Sequence, residues 1–272
     1  MRVGISTASL FMKQQNDEAV ALLNEWGMPT SEVFLSTFSE YNRAYGELIA
    51  QKKGQLHVNS VHTLTEQFEP QLYSISDKVT ADAFSWLKGV MEAAQALGAK
   101  HYTFHGVGRV KRKGNYDNFD RLCPRTRQIF NFCARYGVTL AYENVEWATY
   151  NRPGVFTRLR EQCPQLKGVL DIKQAYISGY AYRDYIADMG TSLAYVHFCD
   201  LDKNGNTCLA GKGVFNIEEM LKTLADYGFD GDILLEQYAK DFTELKELRK
   251  SYLYLSEKIY KFGLGKMKKP KI

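Results

Sequence analysis

Val138-Thr139-Leu140-Ala141-Tyr142-Glu143, Gly168-Val169-Leu170-Asp171, Ala194-Tyr195-Val196-His197 and Asp232-Ile233-Leu234-Leu235-Glu236 are the four runs on which the fold turns. Each is apolar enough to be a strand buried on both faces, and each closes on a residue able to bind a metal or move a proton. A polar group ending a buried parallel strand lies where the sheet stops and side chains become available for chemistry. One such ending is ordinary, because backbone donors can satisfy a strand-end carboxylate or histidine. Four in succession, separated by helix-like segments, predict a single mouth at one end of a parallel barrel.

The pattern extends outward over the chain. Eight strand-like runs are read at Arg2 to Ser6, Glu32 to Leu35, Leu56 to His62, Lys100 to His105, Val138 to Glu143, Gly168 to Asp171, Ala194 to Phe198 and Asp232 to Glu236. A helical pattern follows each, clearest over Asp17 to Trp26, Val79 to Leu97, Phe119 to Tyr136, Ile217 to Tyr227 and Phe242 to Tyr260. Gly27, Gly98, Gly137 and Gly228 stand just past helical patterns, where a left-handed residue turns the chain back into the next strand. The expected fold is α/β, a (β/α)8 barrel, as one domain over residues 1–272 with a basic tail from about residue 264. The longest loops, Gly106 to Tyr116, Val145 to Asn151 and Asp200 to Gly213, all follow strands, on the face where barrels build their sites.

The 45% apolar and 24% charged shares are those of a globular protein with a large core. The net charge of +4 owes much to Lys266, Lys268, Lys269 and Lys271, and without a basic stripe elsewhere a nucleic-acid partner is not expected. Five cysteines without a C-x-x-C pair suggest reduced thiols. The N-terminus lacks the basic and apolar regions of a signal peptide, and no run reaches the ~20 apolar residues of a membrane span. The expectation is a cytoplasmic protein with no membrane contact.

Three carboxylates and one imidazole, Glu143, Asp171, Glu236 and His197, make a hard, oxygen-rich ligand set. Burying like charges at one mouth is costly without a cation, so one divalent metal ion is expected. Manganese comes first, with magnesium, cobalt or zinc as alternatives.

With these residues in place, the chain resembles the xylose isomerase-like sugar isomerases and epimerases, whose barrels also include endonuclease IV. The resemblance is carried by Tyr142-Glu143-Asn144, Leu170-Asp171, Val196-His197-Phe198-Cys199-Asp200, Ala210-Gly211-Lys212-Gly213 and Leu235-Glu236, in that order. It implies that Glu143, Asp171, His197 and Glu236 bind one metal, as their matches do in epimerases of the tagatose and psicose type, and that Glu143 and Glu236 also move protons. It implies a small sugar or polyol as substrate, and association into a homo-oligomer, which is common among similar epimerases. The residue types suit such chemistry: a cation polarises a ketose carbonyl, and two carboxylates exchange protons with the enediolate.

His62 and His105 end the third and fourth strands at the same mouth. Their matches in endonuclease IV bind further zinc ions, whereas a sugar enzyme can turn them to substrate hydroxyls. His57 and His101, at strand starts, read as structural. The family's histidine three residues past the sixth-strand aspartate is replaced by Gln174, and the loop from Asn204 to Gly213 holds no histidine, so a trinuclear zinc site looks incomplete. Gln174 can hydrogen-bond a sugar. Lys173 reads most simply as a surface lysine, or else as a cation facing the substrate. Trp147 and Glu32 could shape the sugar pocket, and Asn144 and Asp200 could orient Glu143 and His197. The expected function is a metal-dependent sugar isomerase or epimerase. The alternatives are a keto-inositol-type dehydratase or lyase, a non-catalytic carbohydrate-binding barrel, and an AP-endonuclease-like phosphodiesterase.

Overall fold

Eight parallel strands close into a barrel in the computed structural model: β1 (Arg2–Ser6), β2 (Thr30–Leu35), β3 (His57–Thr63), β4 (His101–Phe104), β5 (Thr139–Glu143), β6 (Lys167–Asp171), β7 (Leu193–Phe198) and β8 (Asp232–Leu235). Each strand pairs with its neighbours in sequence, and β8 closes on β1 with Arg2 opposite Asp232. The structure describes residues 1–64, 67–108 and 118–264. The tail beyond residue 264 and most of the loop expected from Gly106 to Tyr116 lie outside the described residues.

The helices around the barrel are α1 (Asn16–Glu25), α2 (Arg43–Lys52), α3 (Asp77–Leu97), α4 (Phe119–Ala134), α5 (Val155–Gln162), α6 (Ile172–Ile177), α7 (Tyr182–Met189), α8 (Ile217–Asp226) and α9 (Leu245–Lys261). The (β/α)8 reading therefore holds, with element ends displaced by a few residues. Gly27, Gly98, Gly137 and Gly228 all have φ between +72° and +74°, the left-handed turn that returns each helix to the next strand. Within the loop after β7, Asp200–Leu201 and Thr207–Cys208 form a short antiparallel ribbon. Among the described residues, no helix is long and apolar enough to cross a membrane.

Strand alternation decides what points into the barrel. Leu140, Tyr142, Leu170, Val196, Phe198, Ile233 and Leu235 pack outward into the large core beneath the helices. Ala141, Val169, Tyr195 and Leu234 form a separate apolar cluster. Glu143, Asp171, His197 and Glu236 each stand two residues beyond a member of that cluster, so all four share its inward face, one layer nearer the C-terminal rim.

At the opposite end the barrel is pinned by Asp232. Arg2 donates through Nε and Nη2 at 2.7 Å each, and Thr30 Oγ1 donates at 2.7 Å, tying β8 to β1 and β2. Gly4, in the middle of β1, lies so close to β2 that a β-carbon there would run into the Thr30 carbonyl, whereas one on Gly27 would meet nothing within 4 Å. Gly4→Ala is therefore expected to cost about 1–3 kcal/mol through overpacking. Gly27→Ala, strained only by its φ, should cost about 1 kcal/mol. Thermal unfolding of both variants checks the order; an equal or smaller loss for Gly4→Ala would contradict the close packing of β1 on β2.

Candidate active site

Glu143 closes β5, Asp171 closes β6, His197 is the fifth residue of β7, and Glu236 follows β8 by one residue. Their ligand-capable atoms all lie within 4.8 Å of one another, with Glu143, Asp171 and His197 buried and Glu236 slightly open. His197 Nδ1 stands 2.8 Å from Glu143 Oε1 and 3.7 Å from Glu236 Oε2. The separate strand ends thus form one cluster.

Beneath it lies Glu32, fully buried. Ser6 Oγ donates to it at 2.9 Å and Ser60 Oγ at 2.8 Å, and Thr103 adds a third hydroxyl. His197 Nε2 meets Glu32 at 3.2 Å. A carboxylate on the far ring nitrogen fixes an imidazole's orientation and leaves the near nitrogen free for a ligand, here Nδ1 toward Glu143 and Glu236. The expectation that Glu32 lies at the start of its strand and shapes the sugar pocket is corrected. β2 begins at Thr30, because Thr30 and Ser31 spend their hydroxyls on Asp232 and on the Ile5 carbonyl, and Glu32 sits mid-strand as the floor of the cluster.

The carboxylates draw protons onto the imidazoles. Burial opposes charge on His62, yet Glu32, Glu236 and Glu143 raise its pKa to about 9. Against burial, the same three raise His197 well above the usual imidazole range. Burial also works against Glu143 and Glu32, but His197 holds both below the carboxylate range, with His105 helping Glu143 and His62 helping Glu32. Asp171 is pushed up by burial and by the Glu143 and Glu236 charges, with Lys173 opposing. A hard donor set that gathers protons in this way fits a divalent cation, which would replace them. Two further groups of three, His62, His105 and Glu143 and also Glu32, His62 and Glu236, are close enough to hold an ion, but each shares members with the quartet and has one ligand fewer.

The surrounding residues fall differently from their sequence reading in several places. α6 begins immediately after Asp171, whose carboxylate caps it by accepting the Gln174 amide at 2.7 Å. Lys173 is then not a surface lysine: it is 5% exposed, with Nζ 3.4 Å from Asp171 Oδ2, 3.6 Å from Glu236 Oε2 and 4.6 Å from the centre of the Tyr238 ring. A buried ammonium persists only where carboxylates compensate it, and here they do. Asn144 staples Asp171 rather than Glu143, accepting its amide at 2.8 Å and donating to its carbonyl at 2.9 Å. Asp200 gathers the amides of Leu201, Gly211, Gly213 and Phe215 at 2.9–3.2 Å, so it clamps the loop after β7 instead of orienting His197.

His62 and His105 do reach the mouth, their Nε2 atoms 3.2 Å apart and His105 Nε2 2.6 Å from Glu143 Oε2. Trp147 packs edge-on against His105 with centroids 5.4 Å apart. The Gln174 side-chain oxygen accepts the Glu146 amide at 3.1 Å, tethering the loop after β5. A cavity of about 380 Å³ opens above the cluster, with His62, His105, Trp147, Lys173, Gln237 and Tyr238 in its walls.

Glu69, Gln237 and Tyr238 went unread in the sequence. Glu69 is fully buried in a short 3-10 turn after β3 and accepts the His105 and Gly106 amides at 3.0 and 3.3 Å, together with the Tyr102 hydroxyl at 2.5 Å. It fixes the turn from which His105 projects, and Phe68-Glu69-Pro70 carries no local sign of this. Gln237 could have been suspected from its place directly after Glu236.

Comparison with curated proteins gave no match. Among solved structures, D-psicose 3-epimerase from Clostridium cellulolyticum H10, determined with D-tagatose, superposes with a TM-score of 0.78 at 16% identity, over 96% of this chain and 99% of that one. For 3-keto-D-glucoside 4-epimerase from E. coli the TM-score is 0.73 at 13% identity, over 94% and 98%. The IolI protein, with a zinc atom bound, gives 0.73 at 13% identity, over 98% and 100%. At such identities the likeness shows the fold. The model of the xylose isomerase-like TIM barrel family matches residues 20–258, and the chain belongs to that family.

Proposed function

We propose that the protein is a divalent-metal-dependent isomerase or epimerase of a ketose or keto-polyol, working by proton transfer through an enediolate. The observation that carries this reading is the convergence of Glu143, Asp171, His197 and Glu236 within 4.8 Å, with Glu143, Asp171 and Glu236 lining a cavity whose walls also carry Phe11, Phe34 and Trp147. The sugar epimerases among the structural neighbours support it, one of them determined with D-tagatose. A cation held by the quartet would polarise the substrate carbonyl and stabilise the oxyanion that develops there.

The protein's own groups account for the rest. Glu143 and Glu236 rise from strands three apart around the barrel, and both approach His197 Nδ1. A substrate carbon between them would present one face to each carboxylate, one removing a proton and the other returning it. The surrounding positive groups keep Glu143 ionised, as a base requires. Lys173 holds a fixed positive charge beside Glu236 and Asp171, where negative charge grows on the substrate.

The reading is tested with manganese-loaded protein and D-fructose, D-tagatose and D-psicose in heavy water, following deuterium uptake and interconversion by NMR. Exchange at the carbon next to the carbonyl is expected with at least one sugar; none with any would contradict it. Glu143→Gln and Glu236→Gln should each lower turnover by about 10²–10⁴-fold, and near-normal rates in both would remove the two-base assignment. Because His197 and Asp171 must be unprotonated to bind a cation while their pKa values are raised, protons and metal compete. Manganese affinity is therefore expected to climb as pH rises from acid, where Asp171 loses its proton, through neutral and beyond, where His197 does, with protons released on binding. Calorimetry in buffers of differing ionisation enthalpy measures both, and a pH-independent affinity would contradict the competition.

A further inference from the structure

Lys173 puts a permanent positive charge among the residues that would hold the cation. Asp171 caps α6 by accepting the Gln174 amide, so the first turn of that helix fixes where the Lys173 side chain starts. Its ammonium ends 3.4 Å from Asp171 Oδ2 and 3.6 Å from Glu236 Oε2, with the centre of the Tyr238 ring 4.6 Å away. Asp171, Glu236 and Tyr238 all line the cavity, so the charge lies at the ligand cluster itself.

Two of the three carboxylates in the quartet thus have a counter-ion supplied by the chain. The imidazoles of the site can carry positive charge too, but theirs can leave, because an imidazole gives up its proton when it becomes a metal ligand. A lysine ammonium, which ordinarily titrates at about 10.4, keeps its charge at neutral pH. A cation arriving at Asp171 and Glu236 therefore meets a like charge that stays. Lys173 is buried, so little water screens the interaction and it outweighs that of a surface pair. The same charge acts with opposite signs in the two states: it attracts the carboxylates of the empty site and repels the ion in the filled one.

Resting on the metal part of the reading above, we propose that Lys173 is a resident counter-ion of the quartet, stabilising the empty site and by the same interaction lowering its affinity for a divalent ion. Linkage ties the two effects together, since whatever favours the empty state over the filled one weakens binding by that difference. The quartet then holds its ion reversibly, below the strength its four ligands would give alone.

Manganese titrations and thermal unfolding of the metal-free parent, Lys173→Met and Lys173→Arg, well above neutral pH, test this. Lys173→Met keeps most of the side chain's length and removes the charge, and should bind manganese about ten- to a hundred-fold more tightly than the parent. Its metal-free unfolding midpoint should fall by several degrees, and saturating manganese should bring it back to that of the parent or above. Lys173→Arg keeps the charge and should stay within about threefold of the parent affinity. A lower midpoint with unchanged or weaker affinity in Lys173→Met would show a structural role only and overturn the proposal, as would an arginine variant that tightens binding as much as the methionine one. Should Lys173→Met not fold without metal, Lys173→Gln carries the same test, and failure of both to fold even with manganese present counts against it. The sugar assays can fail without touching this result, since the titration reads the ion and not the substrate. If neither the parent nor the variants bind manganese, the metal reading falls and takes the proposal with it, whereas a parent that binds and a methionine variant that binds no better defeat the proposal alone.

Discussion

The site depends on negative charge buried where strands end. Glu143, Asp171 and Glu236 stand around His197, and Glu32 lies directly beneath it, beside the apolar layer of Ala141, Val169, Tyr195 and Leu234. Such a group is unfavourable alone, because each carboxylate loses its water and repels the others. The fold offsets this with hydroxyls on Glu32, protons on the imidazoles and the ammonium of Lys173. A divalent cation answers the same deficit at a single point, which is why the metal reading follows from the electrostatics as well as from the residue types.

The barrel keeps this cluster away from what stabilises it. The outward-facing residues of the strands pack beneath the helices, and the far end is pinned by Arg2, Thr30 and Asp232. The mouth is left to loops and strand ends, where α6 starts at once after Asp171 and Ser9 bends the chain past Glu236. Those two local turns decide which residues beyond the quartet face the cavity. The first buries Lys173, and the second leaves Gln237 at the cavity's edge with its side-chain amide buried.

Much of this was legible in the sequence for a physical reason. Strands buried on both faces are apolar throughout, so a single polar residue at each end stands out, and the glycines past the helices mark the returning turns. What the sequence hid were contacts between distant segments. Glu32 looked like a strand start because Thr30 and Ser31 are polar, and only the pairing with Asp232 and Ile5 explains them. Lys173 looked like a surface lysine because nothing local says that α6 begins so early. Asn144 and Asp200 were placed beside the correct strands but given the wrong partners, since their bonds run to Asp171 and to a loop more than ten residues on.

The most direct test of the central claim is the position of a manganese ion in crystals of the protein, read from its anomalous scattering. The account predicts one site, with oxygen and nitrogen ligands from Glu143, Asp171, His197 and Glu236 at about 2.0–2.6 Å. No bound ion after full repletion, or an ion held by His62, His105 and Glu143 with Asp171 and Glu236 uninvolved, would contradict it.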